Sequence, residues 1–213
     1  MPEPAAFDAA HIDAAFIVVV KPAGLLSVPG RGETRRDCLA ARVRCVYDDA
    51  LSVHRLDMAT SGLMLFARGT LMQRQFSIAF ARREMAKRYV AVVHGRVAQT
   101  HGEIDLALSA DWPNRPRQQV DLAHGKPSLT RYRVLSFNAE RDTTRLELEP
   151  VTGRAHQLRV HLQALGHPIL GDALYAPSAV CARADRLLLH AASLRFTHPL
   201  TSEPVEVASA PPF

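Results

Sequence analysis

A chain of 213 residues that is 47% apolar can bury a full core, as one domain or two small lobes, without disulfide or metal staples. Its three cysteines, Cys38, Cys45 and Cys181, fit neither a disulfide framework nor a C-x-x-C zinc spacing, and neither a secretory leader nor a run of ~20 apolar residues is present, so a soluble cytosolic protein with reduced thiols and no membrane partner is expected. The net charge of +5 is concentrated: residues 68–133 carry a balance of +7 and the remainder −2, which points to a polyanionic partner or to a solvated basic face.

In chain order, "AFIVVVKPAGLLSVPG" reads as a buried strand that breaks at Lys21-Pro22 into a turn-rich segment. The stretch "TRRDCLAARVRCVY" predicts a short helix with Thr34 as N-cap candidate, and "GRGETRRD" before it reads as a basic turn. "GLMLFAR" predicts a second strand, which places Asp57 in the loop just before it. "GTLMQRQFSIAFARRE" has Met72, Phe76, Ala79 and Phe80 at helical spacing, with Arg74, Arg82 and Arg83 turned away from them.

"KRYVAVVHG" predicts a strand, and "ADWPNRPRQQVDLAHGKPS" reads as a long basic connection. "LTRYRVLSF" and "TTRLELEPV" alternate as antiparallel strands do, with Leu146 and Leu148 on the inner face and Arg145, Glu147 and Glu149 on the outer. "TGRAHQLRVHLQALGHPILGD" predicts a helix of three turns with Arg154 at its start, stopped by Gly166 and Pro168. "RLLLHAASLRFTHP" and "EPVEVASAPPF" close the chain as strands. Repeats, linkers and low-complexity tracts are lacking, so one α+β unit over 1–213 with a short lead over 1–15 is expected.

Several residues could carry chemistry. An ionised Asp57 can act as nucleophile or base, although an Asp before a strand also serves as a turn residue with Thr60 or Ser61. Arg154 can hold a nearby carboxylate ionised or bond a neighbouring loop; Tyr89 can stack on a flat base or pack in its strand. His156 and His161, at i and i+5, point roughly 140° apart on a helix and do not form a metal motif. G-x-x-x-x-G-K-[ST] and G-x-G-x-x-G loops do not occur, so nucleotide hydrolysis and dinucleotide chemistry have no sequence support.

"HRLDMATSGL" resembles the signature of the RluA-type pseudouridine synthases, and four further blocks follow that family's order: "KPAGLLSVPG", "KRYVAVV", "TGRAHQLRVHLQALGHPILGD" and "LLLHAASLRFTHP". The resemblance implies an α+β fold around a long mixed, largely antiparallel sheet with flanking helices and a central cleft. It implies no cofactor, metal or organic. It makes Asp57 the catalytic aspartate, Tyr89 the tyrosine near the target base, Arg154 the arginine paired with the aspartate, and Leu158 the apolar residue under the tyrosine. Arg55 becomes the residue that fills the stack left by a flipped base, with His54 beside it, while Arg82, Arg83, Arg115 and Arg117 would hold phosphates.

The family's blocks begin near residue 17, so the S4-like domain of many relatives is not expected here. With "LLSVPGR" and "DWPNRPRQQV…GKPS" this resembles the dual-specificity subtype, which acts on tRNA anticodon stem-loops and a hairpin loop of 23S rRNA. A monomer with RNA and no DNA as its partner is expected. A synthase restricted to one RNA, or an RNA-binding chaperone on the same fold, are the alternatives. Three routes are open to Asp57: addition to ribose C1′, addition to uracil C6, or removal of the C2′ proton to give a glycal.

Overall fold

A computed structural model describes residues 7–30 and 36–213, which divide into two compact units. The first runs to Lys87 and takes up the chain again over His190–Pro212; the second is Arg88–Leu189 with Phe213.

In the first unit, β1 (Asp8–Ile12), β2 (Phe16–Lys21), β3 (Ala50–Ser52), β4 (Ser61–Arg68), β11 (Leu189–Thr197) and β12 (Pro204–Ala208) form a mixed sheet. β2 and β4 pair antiparallel, whereas β4 and β11 pair parallel at His190↔Ser61 and Ala191↔Gly62. The uninterrupted apolar runs of β2 and β4 follow from cover on both faces. Phe16, Val18, Leu63 and Leu65 pack with Met72 and Phe76 of α2 (Gly69–Ala81); Ile17, Val19, Met64 and Phe66 pack with Leu39 and Val43 of α1 (Leu39–Arg44). Phe16, Phe76 and Phe196 meet edge to face at 5.1–5.9 Å, the geometry aromatic quadrupoles favour.

α1 is shorter than the sequence pattern suggests. Cys38 caps it, its Sγ accepting from the Ala41 N–H at 3.4 Å, so the helix begins only at Leu39; Thr34 and most of the "GRGETRRD" turn lie outside the described residues. α2 forms as expected, with Met72 and Phe76 buried and Arg74, Arg82 and Arg83 exposed. Asp8–Ile12, in the lead, pair with β2 as an edge strand.

The second unit holds the antiparallel sheet β5 (Ala86–His94), β10 (Thr143–Pro150), β9 (Leu129–Asn138) and β6 (His101–Asp105), with β5 beginning two residues before the unit boundary. Leu146 and Leu148 are fully buried, and the opposite face carries an exposed ion ladder in which Arg88 and Arg133 both reach Glu147. The basic connection is not all loop: Leu108–Ala110 (β7) and Gln118–Val120 (β8) make a small hairpin. Its anchor is Tyr175, whose hydroxyl accepts from the Gln118 N–H at 2.8 Å. α3 (Gln157–Ala164) and α4 (Ser178–Cys181) complete the unit. Arg159 and Asp172 form a buried bidentate pair at 2.6 and 2.9 Å, and Asp172 also accepts the Leu174 and Tyr175 N–H groups.

Candidate active site

The loop between β3 and β4 carries His54, Arg55 and Asp57 within the first unit, and long-range bonds clamp it at successive residues. Ser27 Oγ donates to the Leu56 carbonyl at 2.7 Å and accepts the Leu56 N–H at 3.0 Å, so Leu56 is tied on both sides. The fully buried Lys21 donates its Nζ to the carbonyls of Pro22, Leu25 and Met58 at 2.8–3.0 Å. The Gly24 N–H also reaches the Met58 carbonyl, and the Thr60 N–H closes a turn on the Asp57 carbonyl. Burial alternates along the loop: Arg55 is exposed, Leu56 buried, Asp57 half-buried and Met58 exposed.

The bonds to Leu56, Met58 and the Asp57 carbonyl hold the backbone that carries the carboxylate in one place. Such preorganisation suits a group that must meet a reacting atom. Lys21 and Ser27 are the residues the sequence reading missed as site residues. The signal was there in "KPAGLLSVPG", whose Lys and Ser recur as the two clamps.

His54, expected among the RNA-binding residues beside Arg55, is engaged within its own unit. Its Nε2 accepts the Leu65 N–H at 2.9 Å, and its ring lies 4.7 Å from that of Phe80. Burial, with Lys87 nearby as a second cause, pushes its pKa down to about 3, so the ring is neutral and offers no cation to RNA. Because the unfolded chain binds the proton more readily, this stability is complete above the ordinary pKa of 6.5 and is lost as pH falls towards 3. Between pH 7 and 5 the wild-type protein is expected to lose roughly 1–2 kcal/mol more than His54→Gln, read from thermal midpoints at each pH. Equal losses would remove His54 from the clamp.

Tyr89, Arg154 and Leu158 belong to the second unit. Tyr89 is half-buried in β5, opposite Leu148 of β10. Leu158 is buried in the first turn of α3. Arg154 does not start that helix: residues 152–156 form a loop of their own, and α3 runs only from Gln157 to Ala164. The reason is Gln157, fully buried, whose Oε1 accepts from Thr152 Oγ1 at 2.7 Å and from the Arg154 N–H at 3.0 Å, while its Nε2 donates to Leu129 and Thr130. His156 takes φ 53° to bring the chain round, and its Nδ1 meets the Tyr175 hydroxyl at 2.6 Å. Arg154 is thereby presented, exposed, from a braced loop, with its Nε directed to the Pro127 carbonyl at 3.4 Å.

Of the four arginines expected to hold phosphates, Arg82, Arg83 and Arg115 are exposed and Arg117 is half-buried. Arg82 and Arg83 end α2, Arg83 at φ 61°; Arg115 lies 3.3 Å over the Trp112 ring and Arg117 5.5 Å over that of Tyr175. Of the two helix histidines weighed as ligands, His161 bonds Thr130 Oγ1 and the Leu106 carbonyl, and its burial lowers its pKa. Among the described residues no cluster of three or more His, Cys, Asp or Glu could hold a metal ion, and no helix is long and apolar enough to cross a membrane.

Residues 15–164 match the family model described as RNA pseudouridylate synthase. The chain is 47% identical over 206 residues to the dual-specificity RNA pseudouridine synthase RluA of Pasteurella multocida, an alignment covering 97% of this chain and 94% of that protein. Against the protein of the same name from Escherichia coli K12 it is 51% identical over 184 residues, 86% and 84% of the two chains. Among solved structures, human RNA pseudouridylate synthase domain containing 1 superposes with a TM-score of 0.82 at 29% identity, covering all of this chain and 86% of that one. Human RNA pseudouridylate synthase domain containing 4 gives 0.76 at 25% identity, over 96% and 88%.

Proposed function

The chain belongs to the RNA pseudouridylate synthase family, and from that premise we infer that it isomerises uridine to pseudouridine in two kinds of RNA, tRNA anticodon stem-loops and a 23S rRNA hairpin loop. The observation that carries this reading is about 50% identity, over most of the chain, to synthases described as dual-specificity, together with an Asp57 loop clamped from "KPAGLLSVPG".

The reaction breaks the bond between ribose C1′ and uracil N1, turns the ring and joins C1′ to C5. The C5 proton leaves and N1 gains one, so substrate and product have the same mass. Asp57 is the carboxylate assigned to this exchange, through any of the three routes open to it. Tyr89 is assigned to the face of the target uracil, with Leu158 beneath it, and Arg154 is assigned as the arginine that partners Asp57. The uridine must leave its stack, at a cost of a few kcal/mol that is least in a loop, and Arg55 is assigned the vacated place.

Arg82, Arg83, Arg115 and Arg117 are assigned to phosphates. Each phosphate contact removed lowers the salt dependence of binding, so Arg115→Ala and Arg117→Ala should each reduce the slope of log K against log salt by about 0.7–0.9. An unchanged slope for both would take the hairpin out of the RNA interface. The protein is assigned to the cytoplasm as a monomer.

Dual specificity is tested by supplying both RNAs together, digesting each to nucleosides and separating pseudouridine from uridine by chromatography. Product in both supports the reading. Product in one alone would leave a single-substrate synthase, and product in neither, with binding retained, would favour the chaperone alternative.

A further inference from the structure

The protein has a single tryptophan, and it is not in the core: Trp112 is 67% exposed, at the tip of the β7–β8 hairpin. Of the exposed large apolar side chains among the described residues, Trp112 offers the largest flat ring, a surface suited to stacking. The Arg115 guanidinium sits 3.3 Å over one ring face, which at this exposure leaves the other to solvent.

The tip is also fixed. The Asn114 side chain donates to both Asp111 carboxylate oxygens at 3.0–3.1 Å, and backbone bonds link Asp111 with Arg117 and Asn114 with both of them at 3.0–3.1 Å. Asp121, at the far end of the hairpin, is likewise occupied, accepting the Ala123 and His124 N–H groups. Both acids of the segment are thus turned to the backbone or to a neighbouring amide, while Arg115 lies against the Trp112 ring and Arg117 over that of Tyr175.

We propose that Trp112, backed by Arg115, is a stacking platform for an unpaired nucleobase of the RNA, a base other than the uridine that is isomerised. The inference rests on the synthase reading and adds a second base contact to it. A flat ring braced in place loses little entropy on stacking, every base presents a π-face, and the cation behind the indole strengthens the pair while drawing in the adjoining phosphates. The hairpin thereby acts as a gauge of whether the loop beside the target is single-stranded. An acidic protein surface would satisfy the charge but give the ring no flat partner.

Because Trp112 is the only tryptophan, its fluorescence reports on this site alone. Two RNA hairpins with the same stem, one closed by a natural loop and one by a loop of abasic residues, are titrated into the intact protein. The natural loop should quench the indole as it saturates and the abasic loop should leave it unchanged. Trp112→Ala should weaken binding of the natural loop about tenfold without affecting the abasic one, while Trp112→Phe restores most of the loss. Saturating binding of the natural loop without quenching, equal quenching by both RNAs, or equal affinity of wild type and Trp112→Ala would overturn the platform. Pseudouridine formation by wild type on the natural loop is measured in the same samples; its absence would instead defeat the synthase reading, whatever the fluorescence does.

Discussion

Asp57→Asn is expected to lower pseudouridine formation by at least about 10³-fold while RNA binding survives. The amide has nearly the carboxylate's shape, and the bonds that clamp the loop run through Leu56, Met58 and the Asp57 backbone, so the loop is retained. What is lost is the negative oxygen, without which the side chain neither adds to carbon nor takes a proton. Nucleoside chromatography reads the turnover and filter binding the affinity. Turnover within tenfold of wild type would show that another group does the chemistry.

The second large effect is structural. Gly62 stands at φ +113° in the parallel pairing of β4 with β11, and a Cβ there would lie 2.3 Å from the Ala191 carbonyl oxygen and 2.5 Å from its nitrogen. Neither atom is the end of a flexible chain, so the strands must part. The neighbouring buried bond between Ser61 Oγ and His190 Nδ1, 2.8 Å, would go with them. Gly62→Ala is expected to cost about 4 kcal/mol or more, seen as a fall in the urea midpoint. Gly24→Ala provides the contrast, since φ is +85° there but nothing lies within 4 Å of the added carbon; only the backbone strain of about 1 kcal/mol should appear. Equal losses for the two would mean that strain, not the Ala191 contact, sets the cost.

What was legible in the sequence was whatever is written locally. The apolar runs of β2 and β4 announce buried strands because each covers two faces, and the spacing of Met72, Phe76 and Phe80 announces the inner side of α2. The strand "GLMLFAR" after it places Asp57 in its loop. The braces were not legible, because their partners are distant: Ser27 and Leu56 are 29 residues apart, Lys21 and Met58 37. His54 reads as an RNA-binding neighbour of Arg55, yet its acceptor role depends on a strand residue 11 positions on. The hairpin at Leu108–Val120 was hidden by three-residue strands in a segment whose Pro, Asn and Asp mark loops. Thr-Gly reads as a helix entry and so puts Arg154 on the helix; the Gln157 side chain satisfies that loop instead and delays the first turn.

The most direct measurement is tritium release from stem-loop RNA carrying uridine labelled at C5, incubated with the wild-type protein. Joining C5 to C1′ must expel that hydrogen, so one tritium is expected in solvent for each pseudouridine formed. RNA that is bound but retains all its tritium would contradict the assignment of this chain as a pseudouridine synthase.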